Sequence, residues 1–82
     1  MKYDVQFKPR AVKDIEKLSS QLQTKIIKGI EILSDDLTGD IKRLTNFTPE
    51  YRLRVGDYRV LFEIENNIII VYRIRHRREV YR

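Results

Sequence analysis

The chain has 82 residues, a length that allows one modest hydrophobic core and not two, and its formal net charge is +5. It has no cysteine and one histidine, so disulfides and thiolate metal sites are excluded, and we expect neither metal nor cofactor. No segment has the apolar length of a signal peptide or a membrane span, so we expect a cytoplasmic protein without a membrane partner.

The N-terminal part predicts one strand followed by two helices. Residues 3–7 alternate between apolar and polar, as in a half-buried strand, and Pro9 suits the first turn of a helix that ends near Ser19. Ser20 and Gln23 form a capping-box pattern at the start of a second helix. Its apolar stripe is Leu22, Ile26, Ile27, Ile30 and Leu33. Two such helices in succession indicate a helical hairpin.

A turn-rich stretch follows the helices. Residues 34–40 carry several acids, but their spacing does not match a calcium-binding loop, so a solvated loop is the better interpretation. Residues 42–49 are expected to be irregular, with Leu44 and Phe47 tucked under the sheet.

The remaining sequence predicts three strands joined by tight turns. Residues 51–55 and 58–64 alternate with a period of two, and residues 68–74 form an apolar run typical of a central strand. Gly56-Asp57 and Asn66-Asn67 suit hairpin turns. The expected fold is α+β, in the order β-α-α-β-β-β, with the helical hairpin on one face of a mainly antiparallel four-stranded sheet. We expect residues 1–82 to form one domain.

Arginine is concentrated in the strand-rich part, where eight of the ten arginines lie at or after Arg52. An ordinary solvated face with cross-strand charge pairs is one interpretation. However, these strands offer only Glu63 and Glu65 as acidic partners, and unpaired like charges destabilise a sheet, which favours a phosphate-binding surface. Strand alternation places four arginines on the open face of the sheet: Arg52, Arg54, Arg59 and Arg75.

The last ten residues carry five arginines at the end of the final strand and also suggest phosphate recognition. Attack of an RNA 2′-hydroxyl on its own phosphate needs a base, an acid and cations, but no metal. Arginine is a cation and a poor base, so Tyr81, His76 and Glu79 are the candidates for proton transfer. Glu79 is more simply interpreted as a partner of Arg77 or Arg78.

Two stretches carry a resemblance to a known family. They are Tyr-Arg-Leu-Arg-Val-Gly-Asp-Tyr-Arg-Val-Leu-Phe at 51–62 and Arg-His-Arg-Arg-Glu-Val-Tyr at 75–81. Nearly the whole chain resembles the RelE family (RelE/ParE superfamily), toxins of type II toxin–antitoxin systems. The resemblance implies a RelE-like fold and an endoribonuclease, or mRNA interferase. Such a toxin cleaves mRNA in the A site of the 30S ribosomal subunit, inhibits translation, and is neutralised by a RelB-type antitoxin.

The resemblance also implies roles for individual residues. Arg59 matches the arginine that contacts the scissile phosphate, and Tyr81 matches a C-terminal tyrosine that stacks on a base or assists proton transfer. Either Arg75 or Arg77 matches the arginine after the last strand. Where the best-known member has a lysine able to act as base, this chain has arginine, so Tyr81 and His76 both remain candidates. The predicted catalytic set is Arg59, Arg75, His76, Arg77 and Tyr81, and the predicted RNA-binding set is Arg52, Arg54, Arg73 and Arg78.

Two other functions compete with RNA cleavage. A ParE-like toxin of the same fold would inhibit DNA gyrase by binding it, without nuclease activity. A non-catalytic RNA-binding module would use the arginines only to neutralise phosphates. The presence of both Arg59 and Tyr81 favours the nuclease.

Overall fold

A computed structural model describes residues 2–44 and 46–80, with the side chain of residue 80 left out. Its elements in chain order are β1 (Asp4–Phe7), α1 (Pro9–Glu16), α2 (Ser20–Asp36), β2 (Asp40–Arg43), β3 (Tyr51–Val55), β4 (Tyr58–Glu65), β5 (Ile68–His76) and α3 (Arg77–Val80).

The described residues form one mixed sheet of five strands in the order β1-β5-β4-β3-β2. β1 pairs in parallel with β5, and all other neighbours are antiparallel. The α+β class and the predicted helical hairpin are confirmed, but the predicted strand count of four is too low. The sequence predicts a turn that ends at residue 40 and irregular chain from residue 42, whereas residues 40–43 pair along β3 as an edge strand. This strand has one apolar residue, Ile41, so it lacks the alternation by which strands are recognised.

The helical hairpin covers one face of the sheet. Ala11 of α1 and the α2 stripe meet the apolar residues that alternate on the three long strands. The buried core consists of Ala11, Ile26, Ile30, Leu33, Leu53, Val60, Phe62, Ile69, Val71 and Ile74. The approach of α2 to β3 is close: a Cβ added to Gly29 would lie 2.9 Å from Cγ2 of Val55.

The junction between the helices differs by one residue from the predicted capping box. Ser19, not Ser20, is the N-cap of α2, and its hydroxyl accepts a hydrogen bond from the backbone N–H of Leu22 at 3.2 Å. Gln23 does not reach back to the cap. Its side-chain amide donates to the carbonyls of Ile15 and Leu18, both at 3.0 Å, and so fastens the end of α1 to α2.

A bulge interrupts the pairing of β5 with β4. Val71 is opposite Phe62 and Arg73 is opposite Leu61, so Tyr72 has no partner in the register. Beyond the bulge, Ile74 is buried on the helix-covered face together with Val71. Arg75 therefore belongs to the opposite face, which the two long helices leave open.

Candidate nucleic-acid interface

Three arginines lie in one row across the open face of the sheet. Arg54 of β3 is the direct partner of Arg59 of β4, and Arg59 is the direct partner of Arg75 of β5. Neighbouring strands lie about 4.8 Å apart, so the three α-carbons span roughly 10 Å. We call Arg54, Arg59 and Arg75 the arginine row. Like charges opposite one another destabilise a sheet, so such a row is expected where an anion binds.

The middle arginine of the row is held in place by the protein. Arg59 is only 6% exposed. Its Nη1 donates to the carbonyl oxygens of Gly56 and Tyr58, each at 3.0 Å. These carbonyls belong to the β3–β4 hairpin, so the turn that brings Arg59 opposite Arg54 also orients its guanidinium. A cation fixed in this way needs little rearrangement when a phosphate arrives.

Carboxylates flank the row at both ends. Asp40 of β2 lies 3.9 Å from an Nη of Arg54, and Glu79 of α3 lies 3.5 Å from an Nη of Arg75. The first pair is well exposed and therefore weak. In the described part of the chain, Nε of Arg75 is buried without a hydrogen-bond partner, so this guanidinium keeps an unused donor.

Arg52 lies beside the row and is 7% exposed. It is opposite Lys42 on one side and Leu61 on the other. Together with Arg75, it borders a groove of about 350 Å³ on the open face. The remaining lining of the groove is Leu44, Phe47, Thr48, Pro49, Leu61 and Glu79.

The loop over this groove does not tuck its aromatic side chain under the sheet as predicted. Phe47 is 66% exposed, whereas Leu44 is half-buried. The prediction is wrong for Phe47, because apolar character alone does not decide whether a loop side chain is buried. β2 extends the sheet on the N-terminal side of this loop, and residues 44 and 47–49 line the groove instead.

His76 lies on the other face from the arginine row. It is the cross-strand partner of Tyr58, with the two rings edge to face at 5.3 Å between centroids. The ring Nδ1 of His76 accepts a hydrogen bond from the backbone N–H of Arg78 at 3.2 Å, and the backbone N–H of His76 donates to the Glu79 carboxylate at 3.1 Å. Because Nδ1 is an acceptor, the neutral ring carries its proton on Nε2. The histidine thus caps the first turn of α3.

Arg73 is bound by a carboxylate. Its Nε donates to Asp14 of α1 at 2.8 Å, and the N–H of Ile74 donates to the same oxygen at 2.9 Å. Burial raises the pKa of Asp14, but the hydrogen bonds from Arg73 and Ile74, with the charges of Arg73 and Arg75, outweigh it and leave the pKa below its ordinary value. The same carboxylate raises the pKa of Arg73. The pair fastens α1 to β5 just beyond the bulge.

Arg77 and Arg78 are the first two residues of α3. The N–H of Arg77 donates to the carbonyl of Asp57 at 2.8 Å, and its guanidinium lies 3.9 Å from the Asp57 carboxylate. Arg78 is exposed. Of the two candidates for the last-strand arginine, Arg75 is therefore the one that faces Arg59. Glu79 pairs with Arg75 and not, as predicted, with Arg77 or Arg78. Tyr81 lies outside the described residues.

Comparison with known proteins gives a consistent family. Residues 5–81 match the family described as "ParE toxin of type II toxin-antitoxin system, parDE". The chain is 33% identical to Toxin RelE3 of Methanocaldococcus jannaschii, over 94% of this chain and 93% of that protein. It superposes on one chain of the crystal structure of the RelB–RelE antitoxin–toxin complex from Methanococcus jannaschii, with a TM-score of 0.76 and 30% identity, over 93% of this chain and 94% of that chain. The RelE–RelB complex of Pyrococcus horikoshii OT3 shares the fold, with a TM-score of 0.78, 24% identity and coverage of 94% and 97%.

These matches define the class as small α+β toxins of type II toxin–antitoxin systems. Within that class, the chain belongs to the RelE family of the RelE/ParE superfamily. Within residues 2–44 and 46–80, no helix is both long and apolar enough to cross a membrane.

Proposed function

We propose that this toxin is an endoribonuclease that cleaves mRNA in the A site of the ribosome and thereby stops translation. The observation that supports this most strongly is the arginine row, in which three guanidinium groups from three adjacent strands share one open face. A row of cations whose middle member is fixed by two carbonyls suits the phosphate of a bound RNA strand. The site of action would be the cytoplasm, where mRNA is translated.

In the proposed mechanism, the 2′-hydroxyl of one nucleotide attacks the adjacent phosphate and expels the 5′-oxygen of the next nucleotide. Negative charge builds on the phosphate in the transition state. Arg59, already oriented by two carbonyls, and its cross-strand partner Arg75 would stabilise that charge. Arg52 and Arg54 would hold the flanking phosphates.

Proton transfer is assigned to Tyr81 in this proposal. The residue follows α3 directly in sequence, and α3 begins at the end of β5 beside Arg75. Tyr81 would take the proton of the 2′-hydroxyl as base, since positive charge favours the phenolate form of a tyrosine, and the expelled 5′-oxygen would take up a proton from water. His76 is the less suitable candidate because it belongs to the other face and uses Nδ1 to cap α3. Arg77, Arg78 and Arg73 would contribute positive charge around the site without contacting the reacting phosphate.

A RelB-type antitoxin is the proposed partner, by analogy with the RelB–RelE complexes that share this fold. Acidic residues of an antitoxin could cover the arginine row, or its chain could displace the segment that carries Tyr81. Either contact would silence the toxin without unfolding it. A complex structure with both the row and the C-terminal segment uncovered would contradict this mode of inhibition.

Inhibition of DNA gyrase is the second candidate, because the matching family description names a ParE toxin. One experiment separates the two functions. The chain is added to a translation reaction with a defined mRNA, and 5′ ends are mapped by primer extension. Codon-phased cuts that require ribosomes support the proposal. Intact mRNA, together with gyrase trapped on DNA in a parallel assay, would support the ParE-like function. Retarded RNA without cuts or gyrase inhibition would indicate a simple RNA-binding module.

A further inference from the structure

Phe47 is the most exposed of the large hydrophobic side chains in the described part of the chain, at 66%. A single exposed apolar residue is common on protein surfaces and by itself indicates nothing. The position of Phe47 is more informative. It lines the same groove as Arg52 and Arg75, so an exposed aromatic ring lies beside two guanidinium groups on the face that carries the arginine row.

The loop that presents Phe47 is fastened at its base. The N–H of Leu44 donates to the carbonyl of Glu50 at 2.6 Å, which closes the loop. The Glu50 carboxylate is bound by Arg43, and the Glu50 N–H donates to the Glu63 carboxylate at 2.7 Å. The ring is therefore presented from a loop tied to β2 and β4. A platform held in this way loses little conformational freedom when it binds a ligand.

The groove combines the two features that unpaired nucleic acid requires. Leu61 and Pro49 provide apolar surface, and Arg52 and Arg75 provide positive charge. Single-stranded RNA is bound by stacking of its bases on aromatic rings while cations track its phosphates. If a base stacked on Phe47, the phosphate of its nucleotide would lie towards the guanidinium groups of Arg52 and Arg75.

We propose that Phe47 is a stacking platform for an unpaired RNA base next to the phosphate bound by the arginine row. This inference rests on the proposed function, and it adds a base-recognition subsite to the phosphate site. A hydrophobic side chain of a partner protein could also occupy the groove. RNA is favoured because the groove is bordered by two arginines, whereas the carboxylate in its described lining, Glu79, is already paired with Arg75.

A fluorescent substitution tests stacking without relying on cleavage. The chain has no tryptophan, so Phe47→Trp introduces a single indole. We expect ribosomes programmed with an mRNA that carries 2′-deoxynucleotides in the A-site codon, and so resists cleavage, to quench this indole. Abasic nucleotides in the same codon should abolish the quenching, because the phosphates remain while the stacking partner is gone. Equal quenching by the abasic mRNA would overturn the proposal.

A side-chain series supplies the second measurement. Phe47→Ala and Phe47→Leu should lower kcat/KM for ribosome-dependent cleavage by about 5- to 100-fold, as expected for the loss of one base stack, whereas Phe47→Tyr should stay near wild type. Circular dichroism melting checks the fold. If Phe47→Leu cleaves as well as the wild-type chain, apolar contact alone suffices and stacking is refuted. If Phe47→Ala weakens only antitoxin binding, the groove is a protein-docking site and the proposal fails.

The two proposals fail in different ways. Arg59→Ala should remove most of the cleavage, whereas the indole of Phe47→Trp is still present in the double variant and can still report stacking. If cleavage depends on Arg59 but not on Phe47, only the stacking subsite is refuted. If the wild-type chain cleaves nothing, the nuclease function is refuted. A short single-stranded RNA is then titrated against Phe47→Trp: quenching that an abasic RNA does not cause supports the stacking subsite, and its absence overturns it.

Discussion

Arg59 and Arg75 are direct cross-strand partners, although both side chains carry a positive charge. A like-charged pair of this kind costs roughly 0.2–1 kcal/mol relative to a neutral pair. Arg59 is buried and hydrogen-bonded to the carbonyls of its own hairpin, so it is not able to swing away from its partner. The sheet therefore keeps two guanidinium groups side by side, and both would attract a bound anion.

Sulfate should stabilise the toxin by binding at this pair. At ten times its Kd, a ligand that binds only the folded chain adds about 1.4 kcal/mol, which raises Tm by several degrees in a chain of this size. Thermal melts in sulfate and in chloride at matched ionic strength measure the difference. The Lys28→Ala control, on the exposed side of α2, should keep the sulfate effect, and Arg75→Ala should lose it. An equal effect in both variants would indicate general salt stabilisation.

Replacement of Arg59 should abolish most of the RNA cleavage. Loss of one preorganised charge-stabilising donor typically costs about 10²- to 10³-fold in rate, and Arg59→Ala should lose this much. Arg59→Lys keeps the charge but not the fork that bonds Gly56 and Tyr58, so it should recover only part of the activity. Primer extension on ribosome-bound mRNA gives the rates, and Lys28→Ala controls for net charge. Wild-type cleavage by Arg59→Ala would remove the row from the mechanism.

Tyr81→Phe and His76→Asn should differ in their effect on cleavage. Loss of a general base or acid lowers the rate by about 10²- to 10⁴-fold, and we expect this for Tyr81→Phe. Asn at position 76 offers an oxygen that can accept the N–H of Arg78, so His76→Asn should keep the cap and most of the activity. Growth arrest on expression and cleavage rates with purified protein test both variants. The reverse order of effects would assign proton transfer to the histidine.

Asp14→Asn should destabilise the fold by about 1–3 kcal/mol at pH 7, since the carboxylate accepts hydrogen bonds from charged Arg73 and from the N–H of Ile74. The pKa of Asp14 is lower in the folded chain than its ordinary value of 3.8. The carboxylate thus stabilises the fold above pH 3.8, and this stabilisation is lost as the pH falls through the lowered pKa. Urea unfolding of both proteins at pH 7 and pH 3 should show the gap narrowing in acid. A gap that does not change with pH would contradict it.

Gly29→Ala should destabilise the native protein, although alanine is the better helix former. The added methyl group would meet Val55 at 2.9 Å, and such overpacking typically costs about 1–3 kcal/mol. In a Val55→Ala background the overlap disappears, so the same substitution should stabilise by up to about 1 kcal/mol. A double-mutant cycle by urea unfolding measures this change of sign. Additive effects would show that the close approach of α2 to β3 is not limiting.

Much of the fold could be predicted because its periodicities are strong. The helical hairpin, three of the antiparallel strands and both tight turns follow from the spacing of apolar residues and from Gly56 and Asn66, which have positive φ values of 59° and 56°. β2 could not be predicted, since Asp-Ile-Lys-Arg has no strand character of its own and depends on pairing with β3. The predicted N-cap of α2 is wrong by one residue, because Ser19 and Ser20 are adjacent and either serine could cap the helix.

The candidate site was predictable as far as strand alternation extends. Arg52 and Arg54 lie on β3 and Arg59 on β4, where the period of two holds. The choice between Arg75 and Arg77 depends on where β5 bulges and where α3 begins, and neither has a local sequence signal. Asp14, which lies 59 positions from Arg73 in sequence, could not have been linked to it from the sequence alone.

The bulge at Tyr72 has a consequence for the length of β5. In an uninterrupted strand, residues 69, 71, 73 and 75 would all point the same way, so the arginines would enter the core that Ile69 and Val71 build. Because Tyr72 is unpaired, the alternation of β5 shifts by one residue at the bulge. Ile69 and Val71 therefore face the core, whereas Arg75 lies on the open face. Deletion of Tyr72 would therefore remove the bulge without turning Arg75 inward, because the pairs Val71–Phe62 and Arg73–Leu61 would then follow one another directly. What the nine-residue strand cannot lose without turning Arg75 towards the core is the gap in pairing itself: all nine residues of β5 paired without a bulge would place Arg75 on the same face as Val71.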